Sequence, residues 1–290
     1  MTPEQQLEAW DWPHRRYSQF HHVNGRRWHL QRLGQGPSLL LLHGTGAANH
    51  SWSGMLPDLA RSYEVIAPDL PGHGLTAAHP PGAMSLPGMA RAVHELLKSI
   101  GVMPTLTIGH SAGAAVLSEM CLNGYIQPQA LISINGAMLA LPGLTGMIFA
   151  SSARLLAAMP RVPGWVASLG QKRRFTAAML DSTGSEISAD MLQRYQWLTA
   201  QPSHIRAALQ MMAAWDLVTL ERRLPNLQQK VYLLHCENDK TVPPSEAVRL
   251  NALLSNSELT LLPGLGHLGH EEAPQHFTQF IAGLPESQLM

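Results

Sequence analysis

Three stretches of the sequence carry residue types that together could perform nucleophilic catalysis. The first reads Gly-His-Ser-Ala-Gly at 109–113, follows the apolar run TLTI and leads into an alanine-rich segment. A G-x-S-x-G pattern needs a strand before it and a helix after it, a setting that holds the serine hydroxyl exposed on a strained turn. The glycines remove Cβ atoms that would collide where strand and helix converge. The pattern predicts that Ser111 is a nucleophile, since a plain helix N-cap serine would need neither glycine.

The other two stretches could supply the base and the orienting carboxylate that a serine nucleophile requires. Asp239 lies just after the apolar run KVYLLHC, and His267 lies just after the run ELTLLPG. In folds with this serine motif the chain order is serine, acid, histidine. We therefore predict that Ser111, Asp239 and His267 meet at one edge of a sheet. There His267 would take the serine proton and return it to the leaving group.

Two other carboxylates compete with Asp239 for the acid role. Glu237 directly follows the run KVYLLHC and is expected to belong to the end of the strand itself. Asp216 precedes the same run, at a place where a structural role such as capping a helix is expected.

A second histidine, His270, lies three residues after His267 and is followed by two glutamates. Zinc-binding histidine pairs on a helix are usually four residues apart with an internal glutamate, and no third ligand is spaced nearby. A metal site at this pair is therefore a minor alternative, and no metal or organic cofactor is expected. We predict that His270 is a packed or surface residue.

An oxyanion site must accompany a serine nucleophile, because attack on a carbonyl places negative charge on oxygen. One donor is predicted to be the N–H of Ala112, directly after the nucleophile. The other is predicted to be the N–H of Thr45, in the loop that follows the run SLLLL. His43 in the same loop could be read as a base, but we expect it to brace the loop by hydrogen bonding.

Short Val/Ile/Leu-rich runs, most of them separated by helix-length segments, must position these residues. They predict an α/β fold with a mostly parallel, eight-stranded sheet flanked by helices. The predicted strands are 17–23, 27–33, 38–44, 63–69, 105–111, 130–136, 230–236 and 258–264, and two predicted helices are 89–101 and 111–124. Residues 137–215 are predicted to form a helical lid inserted into a core made of 1–136 and 216–290.

The composition narrows the classes of partner. The net charge is zero, from 20 basic and 20 acidic residues, so nothing indicates binding to nucleic acid. Cys121 and Cys236 lie in apolar segments and imply no disulfide framework. The N-terminus lacks the order of a signal peptide, so a cytoplasmic location is expected. The apolar segment MLALPGLTGMIFA is too interrupted to cross a bilayer, and peripheral contact with a membrane surface is an open alternative.

The predicted lid has its own composition. Between 141 and 214 there are seven Lys or Arg and three Asp or Glu, and the stretch beginning at Met138 holds seven of the 14 Met. Met and Trp side chains line adaptable apolar sites. Met138, Arg173, Arg174 and Trp215 are therefore candidate contacts to an apolar substrate that carries negative charge. The plainer interpretation is lid packing by the Met residues and a solvated face of cations.

The combined motifs LLHGTG, VIAPDLPGHG, GHSAGAA, END and GHLGHEEAP resemble those of the α/β-hydrolases over nearly the whole chain. This resemblance implies an α/β-hydrolase fold with Ser111, Asp239 and His267 as nucleophile, acid and base. The stretches SLPGMA, SINGAML and MMAAWDL are similar to the magnesium chelatase accessory hydrolases encoded in bacteriochlorophyll-synthesis gene clusters. That narrower resemblance implies a link to tetrapyrrole metabolism in photosynthesis, with a porphyrin as substrate and chelatase subunits as partners.

Three functions stay open at this point. The first is a serine hydrolase that cleaves an ester or related acyl bond. The second is a non-catalytic accessory protein that binds or delivers a porphyrin to the chelatase. The third is a cofactor-free C–C bond hydrolase, which shares the serine triad. Hydrolases with an aspartate nucleophile are opposed by Ser111 at the turn.

Overall fold

A computed structural model describes residues 2–140, 155, 156 and 158–284. Its centre is a single eight-stranded sheet with the order β1-β2-β4-β3-β5-β6-β7-β8. β1 and β2 pair antiparallel, β2 and β4 pair antiparallel, and all other neighbours are parallel. The strands are β1 (Ser18–Val23), β2 (Arg26–Leu33), β3 (Ser38–Leu42), β4 (Glu64–Pro68), β5 (Leu106–His110), β6 (Ala130–Ile134), β7 (Lys230–Cys236) and β8 (Ser257–Leu262). The predicted sheet is therefore confirmed.

Helices cover the sheet and connect its parallel strands. They are α1 (Pro3–Ala9), α2 (Leu56–Leu59), α3 (Leu86–Ser99), α4 (Ala112–Leu122), α5 (Val162–Gly170), α6 (Arg173–Asp181), α7 (Ala189–Thr199), α8 (Pro202–Ala214), α9 (Leu217–Arg223), α10 (Pro244–Leu253), α11 (Gly269–Glu272) and α12 (Pro274–Ala282). Single 3₁₀ turns lie at Arg15–Tyr17, Asn49–Trp52, Pro81–Met84 and Leu224–Asn226. The helix predicted at 89–101 begins earlier, because Ser85 caps it by accepting the N–H of Gly88.

The central strands are apolar on both faces because each face is covered by a hydrophobic cluster. On β3, Leu40 and Leu42 belong to the cluster with α3 and α4, while Leu39 and Leu41 belong to the cluster with α12. Successive side chains of a strand point to opposite faces of the sheet, so a run of four leucines supplies apolar side chains to both clusters. This rigid layer fixes the carboxyl ends of β3, β5, β6, β7 and β8, where the candidate residues follow.

Between β6 and β7 the described residues form helices α5 to α9 with connecting loops, and no strand occurs among them. The predicted helical pattern MIFASSARLLAAM falls mostly outside the described residues. The second pattern, HIRAALQMMAAWDLVTL, is divided between α8 and α9 at Trp215 and Asp216. The Asp216 carboxylate caps α9 by accepting the N–H of Thr219 at 3.1 Å, which agrees with the structural role expected for it. The assignment of 137–215 as a separate lid stays a prediction.

The structure also shows whether any helix could span a membrane and where the two cysteines lie. No helix among the described residues is long and apolar enough to span a bilayer. Cys121 and Cys236 are free and buried, and burial raises the pKa of each thiol to about 12. Such thiols stay protonated and behave as small apolar side chains.

Candidate active site

The serine predicted as nucleophile lies on a strained turn between β5 and α4. Ser111 has φ +51° and ψ −117°, a conformation that non-glycine residues rarely adopt. A Cβ on Gly113 would lie 2.0 Å from the carbonyl oxygen of Leu42, and one on Gly109 would lie 2.4 Å from the nitrogen of Ala114. Both glycines are therefore required by the close approach of helix and strand, as the motif predicts. The backbone N–H of Ser111 donates to Ile134 at 3.0 Å, which ties the turn to the end of β6.

The predicted acid and base form a hydrogen-bonded pair in the loops after β7 and β8. His267 Nδ1 lies 2.7 Å from Asp239 Oδ2, and both side chains are buried. The other carboxylate oxygen, Oδ1, accepts the N–H groups of Thr241 at 2.7 Å and Val242 at 2.8 Å. An ionised Asp239 can only accept, so Nδ1 of His267 carries the proton and Nε2 is left with a free lone pair. That is the tautomer a general base needs.

Ser111 and His267 line the same cavity, although the serine hydroxyl makes no hydrogen bond to any of the described residues. The serine is 8% exposed and the histidine 6%. The structure thus brings Ser111 and the Asp239–His267 pair to one edge of the sheet.

Glu237, the competitor for the acid role, is exposed at the end of β7. Its backbone N–H donates to the carbonyl of Leu262 at 3.0 Å, so it continues the pairing of β7 with β8 as expected. An exposed carboxylate at this place cannot replace the buried Asp239 as the partner of His267.

Two side chains that the sequence analysis did not single out hold the loop of the base. Asn135, which follows β6 with φ +47°, donates through Nδ2 to the carbonyls of Gly266 at 3.1 Å and His267 at 2.8 Å. Its Oδ1 accepts the N–H of Cys236 at 2.8 Å. His110 Nε2 lies 2.9 Å from the same carbonyl of His267. Asn135 and His110 thereby tie the ends of β6 and β5 to the loop of the base, and Asn135 also joins the end of β7 to it.

The predicted oxyanion loop is a tight turn against the nucleophile. The N–H of Ala47 donates to the carbonyl of Gly44 at 3.2 Å, and Gly46 takes φ +77° at the third position of the turn, where glycine is favoured. A Cβ on Gly44 would lie 3.0 Å from Cβ of Ser111, so the turn packs directly on the nucleophile. Thr45 lines the cavity from this turn.

Ala112 and His43 occupy the places expected for a donor and a brace. Ala112 is the first residue of α4, where N–H groups have no acceptor within the helix, and it lines the cavity. His43 is buried, with Nδ1 2.8 Å from the carbonyl of Gly44. Its Nε2 accepts the N–H of Leu70 at 2.9 Å, so Nδ1 is the donor, and the bracing role of His43 is confirmed. Burial lowers the pKa of His43, which keeps the imidazole neutral.

The cavity above these groups has a volume of about 1050 Å³. This lies at the upper end of the range for small-molecule sites. Its wall is mainly apolar, with Val166, Leu180, Ile205, Leu209, Met212 and Trp215 among the lining side chains. Among the described residues, Asp216 is the only Asp, Glu, Lys or Arg on the lining.

Of the four residues that the sequence analysis predicted to contact the substrate, one lines the cavity and three do not. Trp215 lines the cavity. Met138 is fully buried and is not part of the cavity wall, and its sulfur contacts the hydroxyls of Ser118 and Ser133. Arg173 and Arg174 are exposed at the start of α6 and do not belong to the cavity wall. The structure therefore does not bring Met138, Arg173 and Arg174 to the substrate cavity, and contact of the two arginines with a substrate stays a prediction for groups outside it.

His270, the second histidine after β8, belongs to a buried polar cluster beside the site. His270 is fully buried with Nε2 2.8 Å from Oγ of Ser51, and burial lowers its pKa to about 3. Ser51 donates in turn to Oε1 of Glu271, which also accepts the hydroxyl of Tyr195 at 2.6 Å. The packed role predicted for His270 is confirmed. No group of three or more His, Cys, Asp or Glu side chains able to hold a metal occurs among the described residues.

Burial of Glu271 should make the stability of the protein depend on pH. Burial raises the pKa of Glu271 from 4.5 to about 7. Between these two values the folded protein holds a proton that the unfolded chain releases, so the free energy of unfolding falls as pH rises from about 4.5 to 7. The loss at pH 8 should be roughly 3 kcal/mol. Glu271→Gln keeps the acceptor for Ser51 and Tyr195 and cannot ionise, so it should be more stable than the wild type at pH 8.

Urea unfolding of both proteins at pH 5 and pH 8 measures this effect. The stability advantage of Glu271→Gln should be several times larger at pH 8 than at pH 5. Glu8→Gln, at an exposed glutamate of α1, removes one negative charge without burial and should retain the slope of the wild type. An advantage of equal size at both pH values would mean that Glu271 does not titrate in this range.

Known proteins resemble this chain in both sequence and structure. The model of the α/β-hydrolase family matches residues 39–278. The 30 kDa magnesium-chelatase subunit of Rhodobacter capsulatus is 36% identical over 273 residues, covering 93% of this chain and 95% of the relative. A pimeloyl-[acyl-carrier protein] methyl ester esterase of Aeromonas hydrophila is 27% identical over 260 residues, covering 87% and 96%.

Solved structures agree with the family match. The crystal structure of an α/β-hydrolase fold protein from Burkholderia ambifaria superposes with a TM-score of 0.76 at 23% identity, covering 91% of this chain and 97% of that one. The resemblance to the magnesium-chelatase relatives is likewise confirmed by the 36% identity. The chain, with its mostly parallel eight-stranded sheet, belongs to the α/β-hydrolase family.

Proposed function

We propose that the protein is a serine hydrolase that cleaves an ester or related acyl bond of an apolar substrate. The observation that carries the proposal is the 2.7 Å hydrogen bond between His267 and the buried Asp239, facing the cavity that Ser111 also lines. Membership in the α/β-hydrolase family and the esterase relative support a hydrolytic reaction. In this proposal Ser111 is the nucleophile, His267 the base and Asp239 the residue that orients it.

The reaction proceeds through an acyl-enzyme. Oγ of Ser111 attacks the carbonyl carbon while its proton passes to Nε2 of His267. The carbonyl oxygen becomes an oxyanion and receives hydrogen bonds from the N–H groups of Thr45 and Ala112. The bond to the leaving group then breaks, and His267 returns the proton to that group. A water molecule, deprotonated by the same imidazole, releases the acid and restores Ser111.

The cavity wall indicates the class of substrate. About 1050 Å³ with mostly apolar walls accepts a bulky apolar body rather than a small ester. Burying an unpaired carboxylate in such a place is strongly unfavourable, and none of the described Lys or Arg side chains lies on the wall. A neutral, esterified form of the substrate therefore fits the cavity better than its free acid. Any carboxylates that the substrate carries would lie at the mouth or outside it.

A fluorophosphonate probe tests the proposal. Such a probe phosphonylates an activated serine and forms a stable adduct there. We expect one adduct per chain, mapped by peptide mass spectrometry to Ser111, and no adduct after heat denaturation. Ser118, a buried serine on the same helix α4, is an internal control that should stay unmodified. Absence of labelling at Ser111 in folded protein would overturn the proposed chemistry.

A second candidate function is favoured by the name of the 36% identical relative, a magnesium-chelatase subunit. In that case the cavity would bind a porphyrin and deliver it to the chelatase without cleaving it. A porphyrin in the cavity should quench the fluorescence of Trp215, and Trp215→Phe should remove most of that quenching. Incubation with magnesium-porphyrin esters followed by mass spectrometry separates the two candidates. A hydrolysed porphyrin supports the first, and saturable binding with unchanged porphyrin supports the second.

A further inference from the structure

One helix between β6 and β7 contacts the turn that carries the Thr45 N–H. His204, in the first turn of α8, is buried, and its Nε2 lies 3.0 Å from the carbonyl oxygen of Gly46. Its Nδ1 accepts the N–H of Gly74, in the loop after β4, at 3.2 Å. Because Nδ1 is an acceptor, the proton is on Nε2 and is donated to Gly46. One imidazole therefore links α8 to two loops of the sheet edge.

Two more side chains on the same face of α8 support this contact. Met211 lies seven residues after His204, two turns along the helix, and its sulfur is 3.4 Å from Oγ1 of Thr45. Ala207, one turn after His204, packs on Gly72, where an added Cβ would lie 2.5 Å from the alanine methyl group. The face of α8 that carries His204, Ala207 and Met211 thus packs against the loops after β3 and β4.

His43 and His204 each bind one carbonyl of the same turn. His43 comes from the end of β3 and binds the carbonyl of Gly44, while His204 comes from α8 and binds the carbonyl of Gly46. The peptide that joins Gly44 to Thr45 contains the N–H assigned to the oxyanion site. Burial lowers the pKa of His204 to about 4, so its hydrogen bonds persist over the pH range in which a histidine base works.

We infer that His204 and Met211 are positioning residues for the oxyanion site, so that α8 takes part in catalysis as well as covering the cavity. The inference rests on the proposed serine hydrolase function. It follows from geometry: an N–H donor must meet the oxyanion at hydrogen-bond distance, and loss of one such donor lowers kcat by about 100- to 1000-fold. If only one of the two carbonyls of the turn is held, the Thr45 N–H is displaced but still present. The loss of kcat should therefore be smaller than the loss caused by removing the donor completely.

The same helix also faces the substrate. Ile205, Ala208, Leu209 and Met212 of α8 line the cavity beside His204. A substrate whose apolar body fills the cavity therefore packs against the helix that holds the oxyanion turn. Contacts of this kind act on the transition state, and they should raise kcat for bulky acyl groups more than they lower KM.

The test combines kinetics with two kinds of ligand. His204→Leu fills a similar volume but removes both hydrogen bonds, and we expect kcat to fall about 10- to 100-fold with KM changed less than threefold. An alkyl boronic acid, which forms a tetrahedral adduct with the serine, should lose affinity by the same factor. A neutral alkyl amide, which occupies the cavity without forming an oxyanion, should bind as in the wild type. A merely structural role would weaken both ligands alike.

Two further variants complete the design. His204→Gln can donate to Gly46 and accept from Gly74, so it should recover most of the boronic acid affinity. Gln210→Ala, on α8 but outside the cavity wall, is the matched control and should leave all constants within about twofold. If His204→Leu does not fold, Met211→Ala should show a smaller loss in the same direction, again confined to the boronic acid and kcat.

The outcomes separate this inference from the proposed function. If Ser111 reacts with the fluorophosphonate but His204→Leu and Met211→Ala keep the wild-type affinity for the boronic acid, the inference is wrong and the hydrolase proposal stands. Equal losses for boronic acid and amide would also overturn it, because they would show a loosened cavity rather than a displaced donor. If Ser111 is unreactive in the wild-type protein, the proposed function itself fails.

Discussion

Replacing Ser111 with alanine is expected to lower kcat for the hydrolysis of an apolar ester by about a million-fold, to the residual rate supplied by the oxyanion site and binding alone. The alanine removes the only atom that can form the acyl-enzyme and leaves the base without its proton donor. Substrate affinity should change little, because the cavity wall is otherwise intact. The measurement is the turnover of a p-nitrophenyl ester with a bulky acyl chain, together with the loss of the initial burst of p-nitrophenol.

The matched control for this variant is Ser118→Ala, at a buried serine on the same helix. Its hydroxyl donates to the carbonyl of Ala114 at 2.9 Å, and Ser118 is not part of the cavity wall. We expect its kcat to stay within about threefold of the wild type, since it changes packing but no reacting group. A Ser111→Ala protein that keeps more than a hundredth of the wild-type rate would mean that another group, or a bound water, attacks the ester.

Replacing Asp239 with asparagine is expected to lower kcat by about 10⁴-fold with the loop geometry retained. Oδ1 would still accept the N–H groups of Thr241 and Val242, so the fold of the loop does not change. The amide nitrogen, however, would face Nδ1 of His267 at the position now taken by Oδ2. An amide donates there, which forces the proton onto Nε2, and the imidazole can then no longer accept the proton of Ser111.

The competing carboxylate is the control for this prediction. Glu237 is exposed and two residues away, and Glu237→Gln should leave kcat within about twofold of the wild type. Thermal unfolding of both variants should show similar midpoints. Similar midpoints would show that a loss of activity is not caused by unfolding. If Glu237→Gln loses activity and Asp239→Asn does not, the acid has been assigned to the wrong residue.

Much of the fold could be predicted from local patterns. Runs of Leu, Ile and Val place the central strands within a few residues, because a strand buried on both faces must be continuously apolar. The sequence around Ser111 predicted both the strained turn and the need for Gly109 and Gly113. In each of these cases the cause lies within a few residues of its effect.

The extra groups around the site could not be predicted in this way. Asn135, His204 and Tyr195 act through partners that lie between 76 and 158 residues away in the chain, such as Glu271 for Tyr195 and Gly46 for His204. Hydrophobic patterns in the sequence do not reveal such a contact, because each of these side chains is compatible with many environments until the chain has folded. The charge bias of residues 141–214 did not show which side chains line the cavity: Arg173 and Arg174 lie outside its wall, and their contact with a substrate stays a prediction.

The sequence by itself determined the α/β class and the strand order along the chain, and it predicted the serine, the acid and the histidine of the proposed triad. Each of these depends on hydrophobic pattern or on a motif with its own steric requirement. Only the tertiary structure decided that His270 is buried, that the cavity wall is mainly apolar and that α8 contacts the turn of Thr45 and Gly46. Those facts depend on how distant segments pack, and close packing is a property of the whole fold rather than of any one stretch.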